Sequence, residues 1–202
     1  MIKAVTFDLD GVYFTGDSFK KFKNIFLEYT SDQDLIDYVL AKSEEMLNFK
    51  MGIMSEADYW AYVNNSFGIN YSLDQFKKLL ADSYSVNQNV VNTVQGIRKL
   101  GIKTCICTNN FSTRINALDQ KISFLPDFDI QILSYQIGAI KPDPEIFQAL
   151  INQSGCLPTE IIFADDKEAN VLSAQALGIN AFVYQDFGHF IDKIGINLPS
   201  SA

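Results

Sequence analysis

The sequence predicts an α/β protein whose core is a doubly wound parallel sheet, interrupted after its first strand by an inserted α-helical lobe. Three observations support this. Apolar, β-rich runs recur at about Lys3–Asp8, Ile102–Thr108, Asp129–Ser134, Glu160–Asp165 and Ala181–Tyr184. From the second run onward they alternate with segments of helical period, and strands separated in this way form parallel sheets with crossover helices. Residues 15 to 88 instead carry no convincing strand and are rich in Phe, Tyr, Asp and Lys.

The bulk numbers bound what such a chain does. Its 202 residues fit one domain with an insertion or two small ones, and are enough to bury a proper core. An apolar fraction of 48% with 20% charged residues is ordinary for a soluble globular protein. The net charge of −8 argues against nucleic acid as a partner, because backbone binding needs a basic face. An anionic ligand would then need a cation or a local cluster of donors, which points toward a metal. No apolar run approaches the ~18 residues of a spanning helix, so no membrane is expected. The N-terminus enters a strand pattern directly, without the layout of a signal peptide. Cys105 and Cys107, two apart on a strand, share one face and read as buried free thiols, which fits a reducing cytoplasm.

Taken in order, Ala4, Val5, Thr6 and Phe7 form a short buried strand that stops at Asp8-Leu9-Asp10-Gly11-Val12. Two carboxylates at the C-terminal end of a strand, before a residue free to turn, make a platform for a metal or a nucleophile. An acidic turn after a strand reads the same way until the later strands are considered. In the insertion, Ser31 with Asp34, Ser55 with Asp58 and Ser72 with Gln75 resemble capping signatures, so three or four helices are expected. Phe26, Tyr38, Leu40, Trp60, Tyr62 and Phe76, at helical spacing, read as packing residues more readily than as a ligand stripe. Lys20, Lys21 and Lys23 read as a solvated face near the hinge of the lobe.

Asn89–Leu100 carries apolar residues at a helical period, and Gly101 stops it. The second strand runs into Thr108-Asn109-Asn110, and Lys141 follows the third. Asp143-Pro144-Glu145 opens a helix with a capping acid and a first-turn proline. The fourth strand ends in Asp165-Asp166, and Asn170–Leu177 is a helix ended by Gly178. Arg114 reads as helix-surface charge and His189 as a packing or surface residue. The tail Leu198–Ala202 reads as frayed.

Ligands of open parallel sheets bind outside the carboxyl ends of the strands. Asp8 and Asp10, Thr108 and its neighbours, Lys141, and Asp165 with Asp166 all fall at or near such ends. Each alone is ordinary turn or capping chemistry, but together they fit one reaction. Carboxylates are hard ligands for Mg²⁺, a lysine neutralises phosphate charge, and a hydroxyl beside backbone N–H groups holds phosphoryl oxygens. One carboxylate remains to attack phosphorus and another to move the leaving-group proton.

The chain resembles the phosphatases of the haloacid dehalogenase superfamily that carry a helical cap after the first motif. The resemblance rests on Phe7-Asp8-Leu9-Asp10-Gly11-Val12, Cys107-Thr108-Asn109-Asn110, Gly138-Ala139-Ile140-Lys141-Pro142-Asp143-Pro144-Glu145-Ile146-Phe147, and Phe163-Ala164-Asp165-Asp166-Lys167-Glu168-Ala169-Asn170-Val171. It covers residues 1 to about 185 and implies a Rossmann-like core of residues 1–14 and 89–202 with a cap of residues 15–88.

By that resemblance Asp8 is the nucleophile that forms an aspartyl-phosphate, and Asp10 protonates the leaving group and then activates water. Thr108 and Asn109 bind the phosphoryl group, and Lys141 steadies nucleophile and phosphate. Asp8, the Asp10 carbonyl and Asp166 hold Mg²⁺. Asp165 stands where glycine is common and is either a ligand or a supporting neighbour; Asn170 orients Asp166 or a metal-bound water. Asp10 separates the chain from members resembling the dehalogenases, which lack that second acid. The implied function is Mg²⁺-dependent hydrolysis of a small phosphorylated metabolite, sugar phosphate or nucleotide-like, by a monomer or homodimer. A phosphomutase or a non-catalytic protein of the same fold is the alternative.

Overall fold

In the computed structural model, which describes residues 1–195, five strands form one all-parallel sheet. They are β1 (Ala4–Phe7), β2 (Lys103–Thr108), β3 (Ile130–Leu133), β4 (Ile161–Asp165) and β5 (Asn180–Val183), in the order β3-β2-β1-β4-β5. The expected frayed tail, Leu198–Ala202, lies outside the described residues. Each apolar run of the sequence became a strand, four of them shortened by a residue at one or both ends and β5 shifted one residue earlier, to begin at Asn180. β1 is central and buried throughout, as a four-residue run without alternation requires. After β3 the chain crosses to the other side of β1, so the switch point lies between β1 and β4.

The chain between β1 and β2 forms α1 (Ser18–Asn24), α2 (Gln33–Asp37), α3 (Glu44–Lys50), α4 (Glu56–Phe67), α5 (Leu73–Ser83) and α6 (Gln88–Lys99). Next come α7 (Ser112–Ile122), the short α8 (Ser134–Ile137), α9 (Pro144–Ser154), α10 (Glu168–Ala176) and α11 (Phe187–Ile194). Side chains of α6, α7 and α11 pack with Val5, Phe7 and Ile106 on one face of the sheet. Those of α9 and α10 pack with Ala4, Cys105 and Cys107 on the other. Helices on both faces make the sheet doubly wound, and the three cysteines are free and buried.

The insertion departs from expectation in its details. It holds five helices before α6, because Ser43 caps α3 by accepting from the Met46 N–H without the acid or amide partner of a capping box. α2 is capped by Asp32 and not by Ser31. The other two signatures hold: Ser55 accepts from the Asp58 N–H, and Ser72 with Gln75 forms a full capping box. In the core, Asp143 precedes α9 but makes no capping hydrogen bond, so Pro144 and the first-turn acid Glu145 mark that start.

Phe26, Leu40, Trp60 and Phe76 are fully buried packing residues, with Trp60 stacked on Phe76 at 4.1 Å between ring centroids. Tyr62 is partly buried against them and Tyr38 is exposed. Lys21 and Lys23 are ion-paired to Asp17 and Asp37 within the lobe.

The lobe is docked on the core at several points. Phe49 at the end of α3 stacks on Phe111, with centroids 5.1 Å apart. The Trp60 indole N–H donates to the Thr113 hydroxyl at 2.8 Å, which in turn donates to Glu56 at 2.6 Å. No helix of the described residues is long and apolar enough to cross a membrane.

Candidate active site

The parallel register brings the chemistry together. Phe7 is level with Ala164, so the next residues of the two strands, Asp8 and Asp165, emerge side by side at the carboxyl edge. The Asp8 N–H donates to the Ala164 carbonyl, and its own Oδ1 accepts from the Leu9 N–H at 2.7 Å. Gly11 then reverses the chain with φ of +76°, and a Cβ there would stand 3.3 Å from Asp166 Oδ2. The left-handed φ favours glycine at this turn, and a side chain there would also have to push Asp166 aside by a few tenths of an ångström.

Lys141 reaches this edge from the loop after α8. Its ammonium is 3.0 Å from Asp8 Oδ1 and donates to Asp165 Oδ2 at 2.5 Å and to the Cys107 carbonyl at 2.7 Å. Three donors are thereby matched to three acceptors. Burial works against the charge of Lys141, but Asp8 and Asp165 outweigh it and hold the amine above its ordinary value. Burial lifts the Asp8 carboxyl to about 6, with Lys141 pulling the other way.

Asn109 is the device that holds Lys141. Its amide donates to the Lys141 carbonyl at 2.7 Å and accepts from the Lys141 N–H at 2.6 Å. Both ends of that side chain are therefore engaged, and what Asn109 still offers a ligand is its backbone. Thr108 is buried at the end of β2, level with Leu133.

Asp165 is wholly buried, and its Oδ1 accepts from the Lys167 N–H and the Asn170 amide, each at 2.9 Å. Asn170 thus orients Asp165, where its position in the sequence suggested that it orients Asp166 or a metal-bound water. The cause is local: the helix turns Asn170 back toward the buried strand end, while Asp166 points outward. Asp166 is exposed, yet burial of part of its surroundings and the Asp165 charge raise its carboxyl above the ordinary value.

Carboxylate oxygens of Asp8, Asp165 and Asp166 all lie within 4.8 Å of one another. Hard oxygen donors, with negative charge in excess of the single Lys141 ammonium, fit a divalent cation such as Mg²⁺.

Asp10 stands apart from this group, its Oδ2 2.7 Å from the Arg114 guanidinium. Arg114 is not a surface charge as its sequence context implied; it is 2% exposed. The missed signal is periodicity, since Arg114 lies three and four residues before Ala117 and Leu118 on the buried stripe of α7. Tyr84, whose hydroxyl accepts from Arg114, was also missed. So was Lys50, the last residue of α3, whose amine burial and the Arg114 charge push down to about 8, with Asp10 opposing. His189 packs edge-on to Phe182 at 5.8 Å, as a packing residue does.

Comparison with known proteins is consistent with this geometry. A family model described as haloacid dehalogenase-like hydrolase matches residues 2–178. The bifunctional epoxide hydrolase 2 of Rattus norvegicus is 30% identical over 121 residues, 58% of this chain but 22% of that protein, so this chain spans about a fifth of that relative. The D-ribitol-5-phosphate phosphatase of Bacteroides thetaiotaomicron is 24% identical over 99% of this chain and 100% of its own length. Among solved structures, a HAD family enzyme from Bacteroides thetaiotaomicron in complex with magnesium and inorganic phosphate superposes with a TM-score of 0.77 at 22% identity. That likeness covers 94% of this chain and 99% of the other and establishes a common fold.

Proposed function

The chain belongs to the haloacid dehalogenase-like hydrolases, and from that premise we propose that it hydrolyses a small phosphorylated metabolite, of the sugar-phosphate or nucleotide kind. One observation carries the reading. The buried Lys141 ammonium bridges Asp8 and Asp165 at adjacent strand ends, with the Asp166 carboxylate beside them and Asp10 two residues beyond Asp8. The phosphatase reading draws further support from the phosphatase relative and from the neighbour that binds magnesium and phosphate.

Asp8 attacks phosphorus, forming an aspartyl-phosphate as the bond to the leaving oxygen breaks, and Asp10 gives its proton to that oxygen. Water then attacks the same phosphorus and loses a proton to Asp10, and the bond to Asp8 breaks to release inorganic phosphate. Lys141 balances the charge of Asp8 and the transferring group, while Thr108 and the Asn109 backbone hold phosphoryl oxygens. Asp8, Asp166 and the Asp10 carbonyl would hold Mg²⁺, with Asp165 as a further ligand or a support. When bound, the ion supplies charge neutralisation and orientation for the phosphate.

Residues 15–88 act as a cap over a core of residues 1–14 and 89–202, and cap closure excludes bulk water. Three buried reduced thiols fit a cytoplasmic enzyme, working as a monomer or homodimer.

The test is phosphate release from an aryl phosphate, a panel of sugar phosphates and a panel of nucleotides, with Mg²⁺ and with EDTA. Metal-dependent release that vanishes in Asp8→Asn is expected. Retained release in that variant sinks the assignment of Asp8. Conversion of a sugar phosphate to its isomer without net phosphate release replaces the hydrolase with a mutase.

A further inference from the structure

Arg114 is a buried cation that the proposed chemistry leaves unused. Its Nε donates to Asn110 Oδ1 at 2.5 Å, Nη1 to the Tyr84 hydroxyl at 2.5 Å and Nη2 to Asp10 Oδ2 at 2.7 Å. The rings of Phe111, Tyr84 and Phe19 have centroids 5.1, 5.3 and 5.5 Å from its Cζ. Two of its three partners are themselves fixed. Asn110, two residues past β2, is pinned to Ser134 just after β3, its N–H donating to the Ser134 hydroxyl at 2.9 Å and its carbonyl accepting from the same group at 3.0 Å. Tyr84 is buried in the segment that leads from α5 back to the core.

The third partner is different in kind. The Asp10 side chain is 41% exposed while that of Arg114 is 3% exposed. Committing a desolvated cation to a half-exposed carboxylate is a poor way to stabilise a fold, because the pair gains little from the wet partner. It is an effective way to hold an accessible carboxylate in one orientation. Among the described residues no side chain or N–H engages Asp10 Oδ1, which leaves that oxygen open.

We propose that Arg114 is the positioning residue of Asp10, fixing Oδ2 so that Oδ1 gives the proton to the leaving oxygen and takes it from water. Tyr84 and Asn110 hold the guanidinium in register. The role rests on the phosphatase reading above. It makes a demand that mere structural support does not, because proton donation matters far more for a poor leaving group than for a good one. An aryl phosphate departs as a stable anion with little need of a proton, whereas an alkyl phosphate needs one.

The experiment compares kcat/KM for an aryl and an alkyl phosphate in the wild type, Arg114→Leu, Arg114→Lys and Asp10→Asn. Arg114→Leu is expected to lose ~10-fold or more on the alkyl ester beyond its loss on the aryl ester, within the range of general acid catalysis. Arg114→Lys recovers part of that selectivity, since an ammonium keeps the charge but not the fork. Adding Arg114→Leu to Asp10→Asn leaves the ratio of the two esters where Asp10→Asn alone sets it. An equal fall on both esters, or no fall, overturns the role. Should Arg114→Leu fail to fold, an unchanged ester ratio in Arg114→Lys and in Tyr84→Phe overturns it equally. A wild type inactive on both esters removes the hydrolase reading, and this role with it.

Discussion

Asp8 sets its proposed chemistry against stability at the scale of one residue. Its carboxyl is 5% exposed and lifted from the ordinary 3.8 to about 6 by burial, in spite of the Lys141 ammonium. Below about pH 4 the folded and unfolded chains both hold this proton. Between there and about pH 6 only the folded state holds it, so unfolding releases it and stability falls as pH rises. Above pH 6 the ionised carboxylate is a standing cost. Asparagine never ionises and keeps an oxygen for the Leu9 N–H. Urea unfolding in EDTA should therefore find Asp8→Asn more stable than wild type by on the order of 2 kcal/mol at pH 7.5. The gap should close near pH 4; one of the same size at both pH values would detach it from ionisation. At this scale the residues that gather at the sheet edge were legible in the sequence, because acids, a hydroxyl and a lysine recur at strand ends. Their partners were not. That Asn109 clamps the Lys141 backbone and Arg114 clasps Asp10 depends on side-chain reach across 32 and 104 residues of sequence, which no local pattern encodes.

Elements were legible where hydrophobic period and end signals agree. α6 and the five strands met both conditions. α7 did not announce its start, because its N-cap is Phe111 and makes no capping bond. The turn after α3 is one place where the lobe meets the core closely. Gly52 has φ of +72°, and a Cβ there would fall 2.2 Å from the Tyr135 carbonyl oxygen in α8. Gly68 after α4 has a similar φ of +63° but open space around it. The two alanine variants share the left-handed backbone penalty of about 1–2 kcal/mol, and Gly52→Ala alone adds the collision. Denaturant unfolding should show Gly52→Ala less stable than Gly68→Ala by a further ~1–3 kcal/mol. Its KM should also rise, since α3 carries Phe49 and Lys50 at this contact. Equal losses in the two variants would mean that the lobe yields at Gly52 without resistance.

For the molecule as a whole, the division into lobe and core conceals a shared interior. A helical insertion after the first strand was legible from the loss of strand pattern, but a sequence shows which residues are apolar and not which pack on which. One cluster of buried side chains runs from Val5 and Phe7 on the sheet through Tyr13, Phe14 and Phe111 to Phe49, Trp60 and Phe76 in the lobe. Tyr13 and Phe14, at the junction, contact each other and Phe124 edge-on or tilted at 5.3 to 5.8 Å. At roughly 1.5–3 kcal/mol for each fully buried large side chain, exposing this junction would forfeit much of the net stability of a domain. The lobe should therefore not unfold ahead of the sheet. Trp60, the single tryptophan, reports on the lobe, whereas far-ultraviolet circular dichroism reports on all helices and strands. In urea the two signals should trace the same transition with one midpoint and one slope. A Trp60 transition at lower denaturant than the dichroism would make the lobe an independently melting unit, and cap movement would then proceed through local unfolding instead of rigid rotation about the segments flanking Phe14 and Tyr84.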